Sequence, residues 1–482
     1  MGIQLSRIST GVAGLDEICQ GGLLTRRAYL IRGGPGSGKT ILGMHFLSCG
    51  AANGERTLFI SLGEPEAELR QNAEVLGFDM SSVRMLDLSP SSDFFTGLRS
   101  YDIFSPAEVE RDPVVQKIND TVREVRPDRV FVDGMRQFQY LTPDAFHFRR
   151  QVSSFLRLLM EQGATVLFTS ESELPDEDLQ FICDGALQLN STPDSRSVYV
   201  IKFRGSDFRS GEHSLRLTSR GMEVFPRLIP EEHERDFNPE PIPSGIQEID
   251  KMLEGGLERG TISLVTGPSG VGKTTLGLHF VKEAARRGER SVVYLFEEIE
   301  QTLLRRCEAT SIPVQEMIAK GTLCVTQIEP LRFTADQFAR MVRQEVEERK
   351  ARVVMIDSIA GYRLSLGGQD LVTHLHGLAK YLQNMGVAVL LINEVEAITG
   401  DFRVSEVGVS YMADNIIFLR YIEIRGKICK ALGVLKKRMS DHDKAMREIK
   451  ITGEGIIVGD RLTMLRGVLR GTPEWAQAAA DE

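Results

Sequence analysis

Short apolar runs alternate along the chain with longer stretches of helical character. The runs are AYLIRG, TLFISL, RVFVDG and TVLFTS in the first half, and TISLVTG, SVVYLFE, VVMIDS and VAVLLIN in the second. Strands that alternate with helices predict an α/β fold built on a parallel sheet with helices on both faces. In such sheets functional residues gather at the carboxyl ends of the strands.

The same pattern runs twice. ISTGVAGLDEICQGGLLTRRAYLIRGGPGSGKTILGMHF from Ile8 matches IPSGIQEIDKMLEGGLERGTISLVTGPSGVGKTTLGLHF from Ile242, with Asp16/Asp250, Lys39/Lys273 and His45/His279 all 234 residues apart. Asp133 matches Asp357 at a shorter offset, so the first repeat carries about ten extra residues, expected between Ser89 and Pro113; the offset of 234 returns at Lys202/Lys436. A self-match of that length means two homologous domains. The proline-rich, acidic stretch PRLIPEEHERDFNPEPIP between them reads as an extended linker. The expected domains are residues 1–237 and 238–470, with 471–482 a flexible tail.

Composition narrows the class. The 482 residues are 42% hydrophobic and 26% charged, as in a globular protein. No stretch nears the roughly 18 uninterrupted apolar residues of a membrane helix, and the N-terminus has no signal-peptide core, so a cytoplasmic location without membrane attachment is expected. The six cysteines form neither a CxxC nor a Cys/His cluster, which gives no sign of a disulfide framework or zinc site. A net charge of -9 argues against a protein whose main task is to neutralise nucleic acid.

Candidate chemistry sits in two phosphate-binding loops. Gly33-Gly34-Pro35-Gly36-Ser37-Gly38-Lys39-Thr40 and Gly267-Pro268-Ser269-Gly270-Val271-Gly272-Lys273-Thr274 both satisfy GxxxxGK[ST], each between an apolar strand and a helical stretch. The glycines allow backbone N–H groups to wrap phosphates at a helix N-terminus; Lys39 or Lys273 reaches the terminal phosphates, and the Thr40 or Thr274 hydroxyl binds Mg²⁺. ATP and Mg²⁺ are the expected ligands. RVFVDG and RVVMID end in Asp133 and Asp357, where such folds hold the ion through water.

With these residues in place the chain resembles, over nearly its whole length, the double-domain RecA-like ATPases of the circadian-clock protein KaiC family. The marks are STGVAGLDEICQGGL and PSGIQEIDKMLEGGL, a carboxylate after the second strand, KFRG at Lys202–Gly205, and YIEIRGKICKALGVLKKRMSDHDKAMRE at 421–448. The resemblance implies two tandem P-loop NTPase domains, a hexameric double ring with ATP at subunit interfaces, a slow ATPase in the first domain and a serine/threonine autokinase and phosphatase in the second. Signalling partners are implied too.

The resemblance also assigns roles. Glu297 and Glu298 end the second strand of the second repeat, suited to activating a nucleophile, whereas the first repeat reads SLGEPE and keeps only Glu64, with Gly63 in place of the first Glu, so that either Glu64 serves as the base or the first domain binds ATP and hydrolyses it poorly. Lys202 and Arg204 recur as Lys436 and Arg438, which in the family reach a neighbouring subunit's γ-phosphate; Met439 stands where the first repeat has Gly205. The family's phosphorylated Ser-Thr pair aligns with Ser410 and Tyr411, and Ser405 is a further hydroxyl nearby. A phenol reaches several ångströms beyond a threonine hydroxyl, so Ser410 is favoured. Two other readings stay open: a DNA-dependent RecA- or helicase-like ATPase, and an ATP-gated interaction platform without kinase activity.

Overall fold

The computed structural model describes residues 6–92, 111–137, 145–170, 177–193, 195–366, 370–395, 409–463, 465–468 and 474–475. The chain forms two compact units, Met1–Arg227 and Leu228–Glu482. Most of the ten extra residues expected in the first repeat, and Ser405, fall outside the described residues.

The strands of the first unit's main sheet are β1 (Ala28–Gly33), β2 (Thr57–Ser61), β3 (Arg84–Asp87), β4 (Arg129–Asp133), β5 (Thr165–Ser170), β6 (Gly185–Ser191), β7 (Arg196–Phe203), β8 (His213–Thr218) and β9 (Gly221–Phe225). They lie in the order β3-β2-β4-β5-β1-β6-β7-β8-β9. The pairs from β3 to β6 are parallel and the last three pairs antiparallel. The second unit repeats this order with β10 (Ile262–Gly267), β11 (Ser291–Leu295), β12 (Leu323–Gln327), β13 (Val353–Asp357), β14 (Ala388–Glu394), β15 (Asn415–Ile424), β16 (Lys427–Lys437), β17 (Arg447–Thr452) and β18 (Gly455–Arg461). Each fold is therefore an α/β sandwich with a mostly parallel sheet at its centre.

The apolar runs are continuous because both sheet faces are covered. Along β1, Tyr29 and Ile31 join one core cluster, while Ala28 and Leu30 join the other. β10 divides in the same way, Val265 going to one cluster and Ile262 and Leu264 to the other. Four helices matter for the site: α1 (Lys39–Ala52), α2 (Glu177–Ile182), α3 (Lys273–Arg286) and α4 (Glu300–Glu308). Both α1 and α3 start directly after a P-loop glycine, Gly38 or Gly272.

The segment read as an extended linker turns through a 3-10 helix at Pro230–Glu232, and from Leu228 onward it is packed on the second unit. The Asn384 side-chain amide donates to the Pro230 carbonyl (3.0 Å), Arg235 donates to the Val346 carbonyl (3.1 Å), and His233 Nδ1 lies 3.1 Å from Glu347. The Phe237 ring lies over Gly260 and Gly386, where a Cβ would meet it at 2.5 and 2.3 Å. In the tail, Glu474–Trp475 pairs antiparallel with Leu465–Arg466.

Candidate active site

Each P-loop joins the carboxyl end of its central strand to a helix N-terminus, where unpaired backbone N–H groups and the helix dipole favour an anion. Gly38 and Gly272 cap α1 and α3 at φ of 98° and 117°, left-handed values that an L side chain resists. A Cβ on Gly272 would also lie 2.5 Å from Ile451 Cδ1. The lysines fold back over the loops. Lys39 Nζ donates to the carbonyls of Gly33 (2.7 Å) and Gly34 (3.0 Å), and Lys273 Nζ donates to that of Pro268 (2.8 Å). Buried Ser37 Oγ has no hydrogen-bond partner.

Thr40 Oγ1 donates to Asp133 Oδ2 and Thr274 Oγ1 to Asp357 Oδ2, both at 2.7 Å. The hydroxyl and carboxylate predicted to hold one ion are thus adjacent in both units. Asp133 also accepts from Thr169 Oγ1 at 2.7 Å, while β14 carries Ile392 at the matching place. Burial pushes the Asp357 carboxyl above its ordinary range, opposed by the Thr274 hydrogen bond and by Arg306. A desolvated carboxylate beside a hydroxyl, both hard oxygen donors, fits a magnesium ion bound with phosphate oxygens.

The second unit's loop borders a cavity of about 370 Å³ that brings together Lys273, Thr274, Glu297, Glu298, Asp357 and Arg306. The two glutamates are held differently. Glu297 accepts from Ser358 Oγ (2.9 Å), whereas Glu298 is ion-paired with Arg306 Nη2 (2.9 Å). Burial lowers the Lys273 ammonium pKa, and Glu394, 3.6 Å away, partly restores it. Lys430 Nζ and the Tyr421 hydroxyl donate to the Gly270 (2.9 Å) and Ser269 (3.2 Å) carbonyls at the loop tip. In the first unit Glu64 stands at the rim, exposed. Partial desolvation, then Asp133 and Glu68, holds its carboxyl above the ordinary glutamate range.

The sheet register separates the predicted clamp residues from the loop of their own unit. Lys202 pairs with Ala186 and Ala186 with Leu30; Lys436 pairs with Ile416 and Ile416 with Leu264. Each lysine is thus three residues short of Gly33 or Gly267, about 10 Å along the strand. Arg204 and Arg438 lie further still toward the opposite end of the strands. Lys202 Nζ donates to the carbonyls of Gln180 and Cys183 at the end of α2, both at 2.6 Å. Lys436 Nζ donates to the Ala413 carbonyl (2.6 Å), and Arg438 pairs with Asp414 (3.0 Å). Half-buried Ser410 and exposed Tyr411 immediately precede this segment, at the same end of the strands.

A sequence model of the family described as "ATPase: KaiC" matches residues 8–229 and again 242–463. The chain belongs to the KaiC family of ATPases. The circadian clock oscillator protein KaiC of Parasynechococcus marenigrum (strain WH8102) is 27% identical over 488 residues, covering 98% of this chain and 94% of that protein. The circadian clock oscillator protein KaiC of Picosynechococcus sp. (strain ATCC 27264 / PCC 7002 / PR-6) is 28% identical over 497 residues, covering 99% and 94%. The circadian clock protein KaiC3 of Synechocystis sp. (strain ATCC 27184 / PCC 6803 / Kazusa) is 27% identical, over 97% and 95%. Membership makes the two P-loop domains ATPase domains of the KaiC type. No helix among the described residues is long and apolar enough to cross a membrane.

Sequence reasoning missed Arg306, Ser358, Thr169 and Glu394. Glu394 had a signal, since it ends an apolar run as Asp133 and Asp357 do. Arg306 had none. It reaches the cavity only because α4 carries it there, eight residues beyond Glu298.

Proposed function

We propose that the protein is an ATP-hydrolysing ring of six subunits whose second domain also transfers the γ-phosphoryl group of ATP to Ser410 of a neighbouring subunit, serving as a signalling or timing device read by protein partners. The observation that carries this reading is the placement of Lys436, Arg438 and Ser410 at the ends of the sheet strands remote from their own P-loop. Groups so placed act on ATP only if another copy brings its P-loop to them. The repetition of that placement by Lys202 and Arg204 supports the same arrangement in the first domain.

In each domain the P-loop backbone and Lys39 or Lys273 bind the phosphates. Thr40 with Asp133, and Thr274 with Asp357, would hold the Mg²⁺ that neutralises charge on the transferring group. A hydroxyl, of water or of Ser410, gives its proton to a glutamate carboxylate as its oxygen bonds to the γ-phosphorus. The bond from that phosphorus to the β,γ-bridging oxygen breaks, and ADP leaves with the electron pair. Lysine and arginine from the adjoining subunit meet the charge that develops on the phosphoryl oxygens. Ser410 is preferred to Tyr411 because the shorter side chain suits the same backbone position.

Purified protein incubated with ATP and Mg²⁺ tests the reading. Phosphate release should be the same with and without single-stranded DNA, the intact mass should gain one phosphoryl group, and tandem mass spectrometry should put it on Ser410. Turnover that rises with DNA would overturn the signalling assignment. Phosphate on Tyr411 alone would overturn the geometric argument. No mass gain would leave an ATPase platform without kinase activity.

A further inference from the structure

The second domain has two candidate bases where the first has one, and an arginine stands beside one of the two. Glu297 follows β11 and is fixed beside Asp357 by the hydrogen bond from Ser358 Oγ (2.9 Å); Ser358 in turn accepts from the Gly361 amide (3.3 Å) at the start of the next helix. Glu298 is turned toward α4, where Arg306 Nη2 lies 2.9 Å from its Oε2. Buried Nε and Nη2 of Arg306 have no aligned hydrogen-bond acceptor, so its grip on Glu298 is mainly one of charge. All of these side chains line the P-loop cavity.

The internal repeat provides a control. Glu298 matches Glu64, Glu297 matches Gly63, and Arg306 matches Asn72. The repeat that keeps only the second glutamate has an exposed, neutral residue where the other has arginine. A carboxylate held beside a guanidinium by charge is less available to a nucleophile's proton, because the positive neighbour favours its ionised form. Only the domain with a spare glutamate restrains one.

We propose that Arg306 is a positioning residue that holds Glu298 away from the nucleophile, so that Glu297 alone takes the proton in the second domain while Glu64, the unrestrained counterpart of Glu298, takes it in the first. This rests on the reading of the glutamates as bases. The proton passes from the attacking hydroxyl to a Glu297 carboxylate oxygen, and the phosphoryl bonds form and break as described above. With Glu297 removed and Arg306 neutralised, Glu298 is free to take the same proton.

The test uses full-length chains carrying Glu64→Gln, with ATP turnover of the additional Glu297→Gln, Glu298→Gln double variant as the floor. Glu297→Gln should lower turnover about 100-fold, the scale of losing a general base. Adding Arg306→Asn should restore it about 10-fold, by giving Glu298 that role. A further Glu298→Gln should remove the gain, and Arg306→Lys, which keeps the pairing charge, should produce none. Binding of a fluorescent ATP analogue checks that each variant is folded, with Arg306→Gln as a second neutral replacement. Glu297→Gln chains that are inactive and not rescued by either neutral residue, though they bind the analogue, overturn the role of Arg306 alone. Full turnover in Glu297→Gln overturns the base assignment beneath it.

Discussion

Glu64 shows how one residue changes the chemistry available to a repeat. With Gly63 in front of it, it is the carboxylate left at the end of β2, and partial desolvation together with Asp133 and Glu68 keeps its pKa above the ordinary glutamate range. A base works only when ionised, so if Glu64 is the base, as proposed, first-domain activity should be present above that raised pKa and be lost as pH falls through it. In chains whose second domain is silenced by Glu297→Gln and Glu298→Gln, the acid limb of kcat/KM should lie above the usual glutamate range. Glu68→Gln, which removes one of the negative charges that raise it, should shift the limb to lower pH. An acid limb at the ordinary glutamate position, unmoved by Glu68→Gln, would show that another group accepts the proton.

At the scale of elements, the P-loops illustrate how much local geometry a motif carries. Gly272 combines a φ of 117° with a Cβ position 2.5 Å from Ile451 on β17. Gly272→Ala therefore meets both backbone strain, about 1–2 kcal/mol, and a clash that moves the strand behind the loop. A fluorescent ATP analogue should bind the second domain at least about 10-fold more weakly, the equivalent of 1.4 kcal/mol, in chains whose first loop is disabled by Lys39→Ala. Unchanged affinity would mean that the loop tolerates another path. The eight central apolar runs were legible as strands because burial on both faces leaves them continuous. The antiparallel strands β7–β9 and β16–β18 were not, since their exposed faces interleave polar residues, as in RSVYVIKF and REIKIT. For the same reason the P-loops and their aspartates could be read from the chain, while Arg306 and Ser358 could not. They come into place through the packing of α4 and the turn after β13, and neither residue type has a motif of its own there.

For the whole molecule, the question is whether one subunit can complete a site. Lys436 donates to the Ala413 carbonyl and Arg438 to the Asp414 carboxylate, at the end of the strands opposite the Gly267–Thr274 loop. If the proposed clamp at one end of the strands meets the phosphate cradle at the other end in a second copy, the contact is heterologous, and it closes into a ring when the rotation between copies allows. Two kinds of chain, both silenced in the first domain by Glu64→Gln, distinguish this from a site complete within one subunit. One carries Lys273→Ala and lacks a working loop; the other carries Lys436→Ala with Arg438→Ala and lacks a working clamp. Each alone should show no second-domain turnover. Dissociated, mixed in equal amounts and reassembled with ATP and Mg²⁺, they should regain about a quarter of the activity of unmodified second domains, because at about one interface in four an intact loop meets an intact clamp. Light scattering should report six subunits in every active sample. If the mixture stays inactive while it assembles, the clamp does not act across the interface. If Lys436→Ala with Arg438→Ala is fully active alone, these residues hold the 409–414 segment in place and take no part in the transfer.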